Sequence, residues 1–252
     1  PKRFSKIKSK EASEKIVYNT LTVPVRERFQ LVLADGTKVF LNSGSEMRYP
    51  ERFGKARREV FLKGEAWFEV AKDSAREFWV HAGAMDVKVL GTSFNVKAYE
   101  RLETVATTLV EGSVEVACAG KSFQIVPGEQ FVYDKNNRVM DVRMVDTESY
   151  VSWKDGYYKF RQTTLEEIME TLSVWYGLNV FYVNESAKQV EFTGKVRRYE
   201  DARMLLDKFE QTGDVVFDIK GNNVFITIKQ KKPFAREWNS FLVKARGMVW
   251  QS

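Results

Sequence analysis

The side chains that carry most catalysis are scarce in this chain. It holds one histidine, His81, and one cysteine, Cys118, among 252 residues. A structural zinc site needs about four Cys or His ligands, so one of each makes none. A single cysteine also excludes an internal disulfide. Cys118 closes the alternating run Val114–Cys118 and reads as a small buried hydrophobe. His81 could act as a base toward a serine, but no Gly-x-Ser-x-Gly elbow presents one. No glycine-rich loop with a Lys-Ser/Thr pair opens a helix, so nothing is built to cradle phosphate. Glu65 and Glu69 could share acid–base work. They alternate with apolar neighbours in a strand-like run and read instead as solvent-facing carboxylates. The residues therefore offer no machinery for substrate turnover and call for no cofactor or metal.

The elements around these residues are strands. From about residue 16 to 148, short alternating runs such as Val39–Leu41, Trp67–Val70, Met85–Val89, Phe94–Val96 and Val114–Val116 follow turn signals at Asp35-Gly36, Lys63-Gly64, Ala119-Gly120 and Pro127-Gly128. No stretch there has helical periodicity. The leading glycines Gly64, Gly91, Gly112 and Gly128 are unevenly spaced, which predicts an irregular β-solenoid or sandwich-like domain rather than a strict solenoid.

A second pattern runs from about 150 to 230. Leu165, Ile168, Met169 and Leu172 share one helix face. Thr164 with Glu167 fits a capping box, and Gly177 ends the helix. A strand follows. The same pattern returns 37 residues later with Ala202, Leu205, Leu206 and Phe209. The spacing predicts a small α+β domain of two β-α-β repeats, closed by a hairpin at Gly221-Asn222-Asn223 into Val224–Ile228.

The net charge of +6 lies in the two ends. Residues 1–15 and 231–252 each carry +4, leaving the body at −2. The body is not a nucleic-acid-binding surface on that balance. The tail 231–252 places Phe234, Trp238, Phe241, Leu242, Ala245 and Val249 on one helical face, a basic amphipathic segment. No apolar run approaches the roughly 18 residues that span a membrane. The chain opens at Pro1 without a signal peptide and reads as part of a longer protein.

Several blocks together resemble the periplasmic part of the FecR family of transmembrane anti-sigma factors, in its Bacteroides-type form. They are Leu33–Asn42, Arg48-Tyr49-Pro50, Gly64–Ala71, Val89–Val96, Leu109–Val114 and Pro127–Gln130. Leu165–Ile168 and Trp175-Tyr176 resemble the family's C-terminal module, similar to the short N-terminal domain of secretins and TonB-dependent receptors. The resemblance implies a periplasmic sensor on a single-pass inner-membrane protein. Its partners would be the signalling domain of a TonB-dependent outer-membrane transporter and, through a cytoplasmic segment not in this chain, a sigma factor. Residues 1–15 would lie just outside the inner membrane, where their basic charge runs against the positive-inside rule. A carbohydrate-binding or enzyme-like β-domain is the competing expectation, and an aromatic-lined pocket with convergent polar groups would favour it.

Two sites follow. In some relatives the Gly-Thr pair matching Gly91 and Thr92 is cleaved by the protein itself, the Thr hydroxyl attacking the Gly carbonyl and water opening the ester. The plainer expectation is a positive-φ glycine before a strand. The second site is a partner-binding edge. A two-repeat domain leaves sheet edges open, and Val224, Phe225, Ile226, Thr227 and Ile228 form the best candidate for strand addition by the transporter.

Overall fold

A computed structural model describes residues 16–198 and 201–229. The basic segment 1–15 and the amphipathic tail 231–252 lie outside the described residues.

The first part is built from thirteen strands. They are β1 (Tyr18–Thr22), β2 (Phe29–Val32), β3 (Lys38–Leu41), β4 (Glu46–Pro50), β5 (Arg58–Glu69), β6 (Phe78–Ala82), β7 (Met85–Val89), β8 (Ser93–Ala98), β9 (Thr104–Glu111), β10 (Val114–Cys118), β11 (Lys121–Ile125), β12 (Glu129–Asp134) and β13 (Val139–Met144). Two sheets share β5. Its first half pairs with β4 and β6, and its second half with β3 and β8. The inward residues of both sheets, Val60, Phe78, Val87 and Val116 on one and Leu41, Phe68, Val96 and Phe131 on the other, form one core. The result is the sandwich-like β fold that the alternation predicts. Cys118 is buried in β10 as expected.

Two local devices set the corners. Asp35 accepts from Thr37 N at 3.0 Å and from Thr37 Oγ1 at 2.8 Å, and pairs with the buried Arg58 at 2.8 Å. Arg58 also donates to the carbonyls of Ala71 and Arg76, so its charge is fully engaged. Midway along β5, Gly64 has φ +105° and faces Ser45, whose atoms would lie 2.4–2.7 Å from an added Cβ. The strand changes sheets at this glycine because no other residue fits there.

After β13 the chain forms α1 (Thr147–Val151), capped by Asp146, and a 3-10 turn, Ser152–Asp155. The remaining elements are β14 (Tyr157–Thr164), α2 (Leu165–Tyr176), β15 (Asn179–Tyr182), β16 (Glu191–Arg197), α3 (Ala202–Thr212), β17 (Val215–Lys220) and β18 (Asn223–Ile228). Thr164 caps α2 by accepting from Glu167 N, and Gly177 closes it in the left-handed conformation. The two β-α-β units interleave. β14 pairs with β16, while β15, β18 and β17 form a three-stranded sheet in that order. Leu165, Ile168, Met169 and Leu172 from one unit and Leu205, Leu206 and Phe209 from the other meet in a second core. Trp67 of β5 belongs to that second core.

Gly64→Ala and Gly36→Ala separate backbone strain from collision. Gly36 has φ +86° with nothing within 4 Å of an added Cβ, so its substitution should cost about 1–2 kcal/mol of left-handed strain. Gly64→Ala should cost that plus about 1–3 kcal/mol of overpacking. Urea melts of both variants check the order, and equal losses would refute the corner assigned to Gly64.

Candidate functional site at the interdomain junction

Alternation along the β5–β8–β9–β12 sheet points Glu65, Trp67, Asn95, Lys97, Thr108 and Gln130 away from the first core. In an isolated sandwich this face would be wet. Here the second domain covers it. Glu65, Asn95, Thr108 and Gln130 are consequently buried, Glu65 to 7 % exposure. This corrects the expectation that Glu65 is a solvent-facing carboxylate; Glu69, at 39 % side-chain exposure, does face water and lies near Lys38.

Burial obliges these groups to find partners. The Glu65 carboxylate accepts from Asn42 Nδ2 at 2.6 Å and from Asn95 Nδ2 at 2.9 Å. Asn95 Oδ1 accepts from the Trp153 indole at 3.1 Å. Asn42 Oδ1 accepts from the guanidinium of Arg198, which is fully buried. Arg198 also donates to the Trp153 carbonyl at 2.9 Å and lies over the Trp175 ring, 3.6 Å from its centroid. One asparagine side chain thus stands between a buried cation of the second domain and a buried anion of the first. Around them, Ser43 Oγ donates to the Val174 carbonyl at 3.2 Å and Tyr99 OH donates to the Ser43 carbonyl at 2.8 Å. Burial, with Glu65 nearby, pushes the Tyr99 phenol well above its ordinary value, so it remains a donor.

Beside this network a cleft of about 380 Å³ opens between the domains. One wall is the polar sheet face. The other is α2, whose acidic side reaches across: Glu170 lies 3.6 Å from Lys97 and Glu167 lies 3.5 Å from Arg143. Burial raises the Glu170 carboxyl above its usual range despite Lys97, and Glu166 and Glu167 add to the rise. In the sheet wall, Gln130 donates to Thr108 Oγ1 at 2.8 Å and accepts from Arg143 at 3.4 Å.

The other sequence candidates lie elsewhere. His81, on β6, bonds Asp86 at 2.7 Å and stacks on Phe61 and Trp79; no serine hydroxyl is hydrogen-bonded to it among the described residues. Gly91 is not at positive φ, contrary to the expectation. It is glycine because an added Cβ would sit 2.5 Å from Lys72 Cγ and 2.9 Å from Lys72 Cα. Thr92 is buried to 5 % exposure, and its hydroxyl donates to the Ser113 carbonyl at 3.0 Å.

The strand Val224, Phe225, Ile226, Thr227, Ile228 is not an open edge. β18 is the middle strand, parallel to β15 on one side and antiparallel to β17 on the other. Its backbone groups are already paired, so strand addition there is closed. Proline at Thr227 would break the sheet itself, because Thr227 pairs with Val216.

Two family models match separate stretches of the chain. Residues 19–115 match the model described as FecR protein, and residues 157–226 match the model described as FecR, C-terminal. The chain belongs to the FecR family. A crystal structure from Parabacteroides distasonis, assigned as an anti-sigma factor, is 27% identical to this FecR-family chain with a TM-score of 0.76, covering 84% of this chain and 100% of that one. A second crystal structure bearing the same assignment, from the same organism, gives 27% identity and a TM-score of 0.76 over 85% of this chain and 100% of that one. No curated protein matches. The junction residues fall in both FecR modules: Asn42, Glu65 and Asn95 in the first and Arg198 in the second, with Trp153 in the connection between them.

Sequence reasoning missed most of this site. Asn42 reads as a turn residue, and Arg198 sits in no motif. The indirect signal was Asn95, a polar residue inside the apolar run Phe94–Val96.

Arg198→Met should destabilise the protein by about 3–5 kcal/mol, because Glu65 and Asn42 keep their burial without the cation. Adding Glu65→Gln should recover part of the loss, as expected for coupled sites. Melts of the two singles and the double check this; simple additivity would show that the charges act independently. At the second site, Thr92→Ala should cost about 1–2 kcal/mol through the orphaned Ser113 carbonyl. Intact mass over days should show one full-length species, and fragments parted between Gly91 and Thr92 would reinstate self-cleavage.

Proposed function

We propose that this chain is the signal-receiving region of a membrane-anchored anti-sigma regulator, in which the second domain receives a protein partner and the junction carries the effect to the first. The partner is the signalling domain of a TonB-dependent outer-membrane transporter, the location is the periplasm, and a sigma factor is held by a cytoplasmic segment outside this chain. The observation that carries the reading is the polar junction in a FecR-family protein. An apolar interface would weld the domains. Apolar contacts cross the junction too, Trp67 in the second core and Tyr99 and Leu102 against Val174, but at its centre water can replace each bond of the amides, the carboxylate and the guanidinium. No helix of the described residues is long and apolar enough to cross a membrane.

The competing carbohydrate-binding reading is less well supported. The interdomain cleft does have aromatic walls, at Tyr150, Trp153 and Phe160. But two of its convergent polar groups are already bonded, Asn95 to Glu65 and Trp153, and Gln130 to Thr108 and Arg143. A sugar would have to displace these bonds before making its own.

With β18 enclosed, strand addition shifts to the edges of its sheet. On β17, the outward N–H of Phe217 donates to the Glu210 carboxylate, which blocks that edge. On β15, the N–H groups of Asn179 and Val183 face β18, so Val180 and Tyr182 direct theirs outward. β15 is therefore the edge proposed for the partner. Calorimetry of the whole chain against N-terminal signalling domains of TonB-dependent transporters tests the reading. One of them should bind, Val180→Pro should weaken it at least tenfold, and Val180→Ala should have a smaller effect. No binding by any such domain would overturn the partner. Binding untouched by the proline, with the fold confirmed, would overturn the edge alone.

A further inference from the structure

The three-stranded sheet β15–β18–β17 has one face on the helices and one face in solvent. Its inward side chains, Val180, Val224, Ile226, Val215 and Phe217, belong to or pack on the second core. Its outward side chains form cross-strand rows. Phe181, Phe225 and Asp218 make one row, and the Phe181 and Phe225 rings stack at 5.1 Å. Val183, Thr227 and Val216 make the next. Phe181 is 48%, Val183 62% and Val216 41% exposed. Large apolar side chains in adjacent rows of a solvent-facing sheet mark a surface that something covers.

We propose that the chain's own residues 230–252 dock on this face. The apolar rows end at Val183, Thr227 and Val216, beside the point where the chain leaves β18 at Ile228 and Lys229. Lys229 is held there by the Glu210 and Gly213 carbonyls, the latter at 2.7 Å. Five residues separate Ile228 from Phe234, a reach of up to roughly 17 Å. Strands lie about 4.8 Å apart, so Phe234 can meet any strand of the sheet. Beyond it, Phe234, Trp238, Phe241, Leu242, Ala245 and Val249 recur at the spacing that gives one apolar side. At the same spacing Arg236 falls on the opposite side and Lys244 and Arg246 on the flanks. Tethering also favours this occupant over a separate molecule, since a short linker holds the segment at about millimolar effective concentration. The proposal is independent of the partner reading above.

A benzophenone amino acid in place of Phe181, and separately in place of Val216, tests it in the full chain. Both side chains already face solvent, so the fold should be retained. Irradiation should give adducts at monomer mass that map to residues 230–252. Trp238→Ser with Phe241→Ser should abolish them. A chain ending at Lys229 should bind several-fold more of an apolar fluorescent dye than the full chain. Adducts at dimer mass would assign the face to a second copy and overturn the proposal. So would the absence of adducts from both positions, or dye binding that truncation leaves unchanged.

Discussion

Glu65 is a carboxyl group placed where a sandwich face meets a second domain, and the junction is arranged to give its oxygens partners. Moving an unpaired carboxylate out of water costs several kcal/mol even after relaxation. Two asparagine amides satisfy its oxygens, and each amide is held at its other end by the second domain, Asn42 by Arg198 and Asn95 by Trp153. The Arg198 guanidinium lies over the Trp175 ring and donates to Asn42 and to the Trp153 carbonyl. Remove the second domain, and the first presents an ordinary wet polar face. Join it, and every one of these groups needs a partner at a fixed place. The relative placement of the domains is thereby defined by hydrogen-bond geometry together with the apolar contacts of Trp67 in the second core and of Tyr99 and Leu102 with Val174.

The fold was legible where it depends on local pattern. Period-two alternation located the strands of the sandwich, and the 37-residue offset located α2 and α3. Capping at Thr164 and Gly177 followed from residue type alone. What failed depends on contacts distant in sequence. Glu65 looks solvent-facing because its neighbours alternate correctly, and nothing nearby records that residues beyond 150 cover it. β18 looks like an edge because it follows a tight hairpin. Its second neighbour, β15, pairs 44 residues earlier, Asn179 with Asn223, and hairpin signals are silent about parallel partners. Gly91 was read as a turn glycine, when its constraint is the approach of Lys72.

The cleft and the closed strand point in one direction. Asn95, Thr108 and Gln130 in its walls are already bonded and β18 is enclosed, so a small ligand in the cleft must displace those bonds and strand addition at the last described strand is closed. On the second domain the surfaces left over are the β15 edge and the outward face of the same sheet. An arrangement with docking surfaces on the second domain and a hydrogen-bonded seam to the first suits a protein that responds by contact.

The sharing of β5 between two sheets bears on how this protein opens. Neither sheet of the first domain can lose that strand without the other losing it too, since Val60 and Phe68 anchor opposite halves of one core from a single backbone. Partial unfolding confined to one sheet is therefore suppressed, and the sandwich should behave as one cooperative foldon. Its central amides would exchange with solvent only when the whole domain opens, while the edge strands β2, β11 and β13 fray on their own. A disturbance arriving at Glu65, near the middle of β5, then meets a body that either holds or yields as a unit.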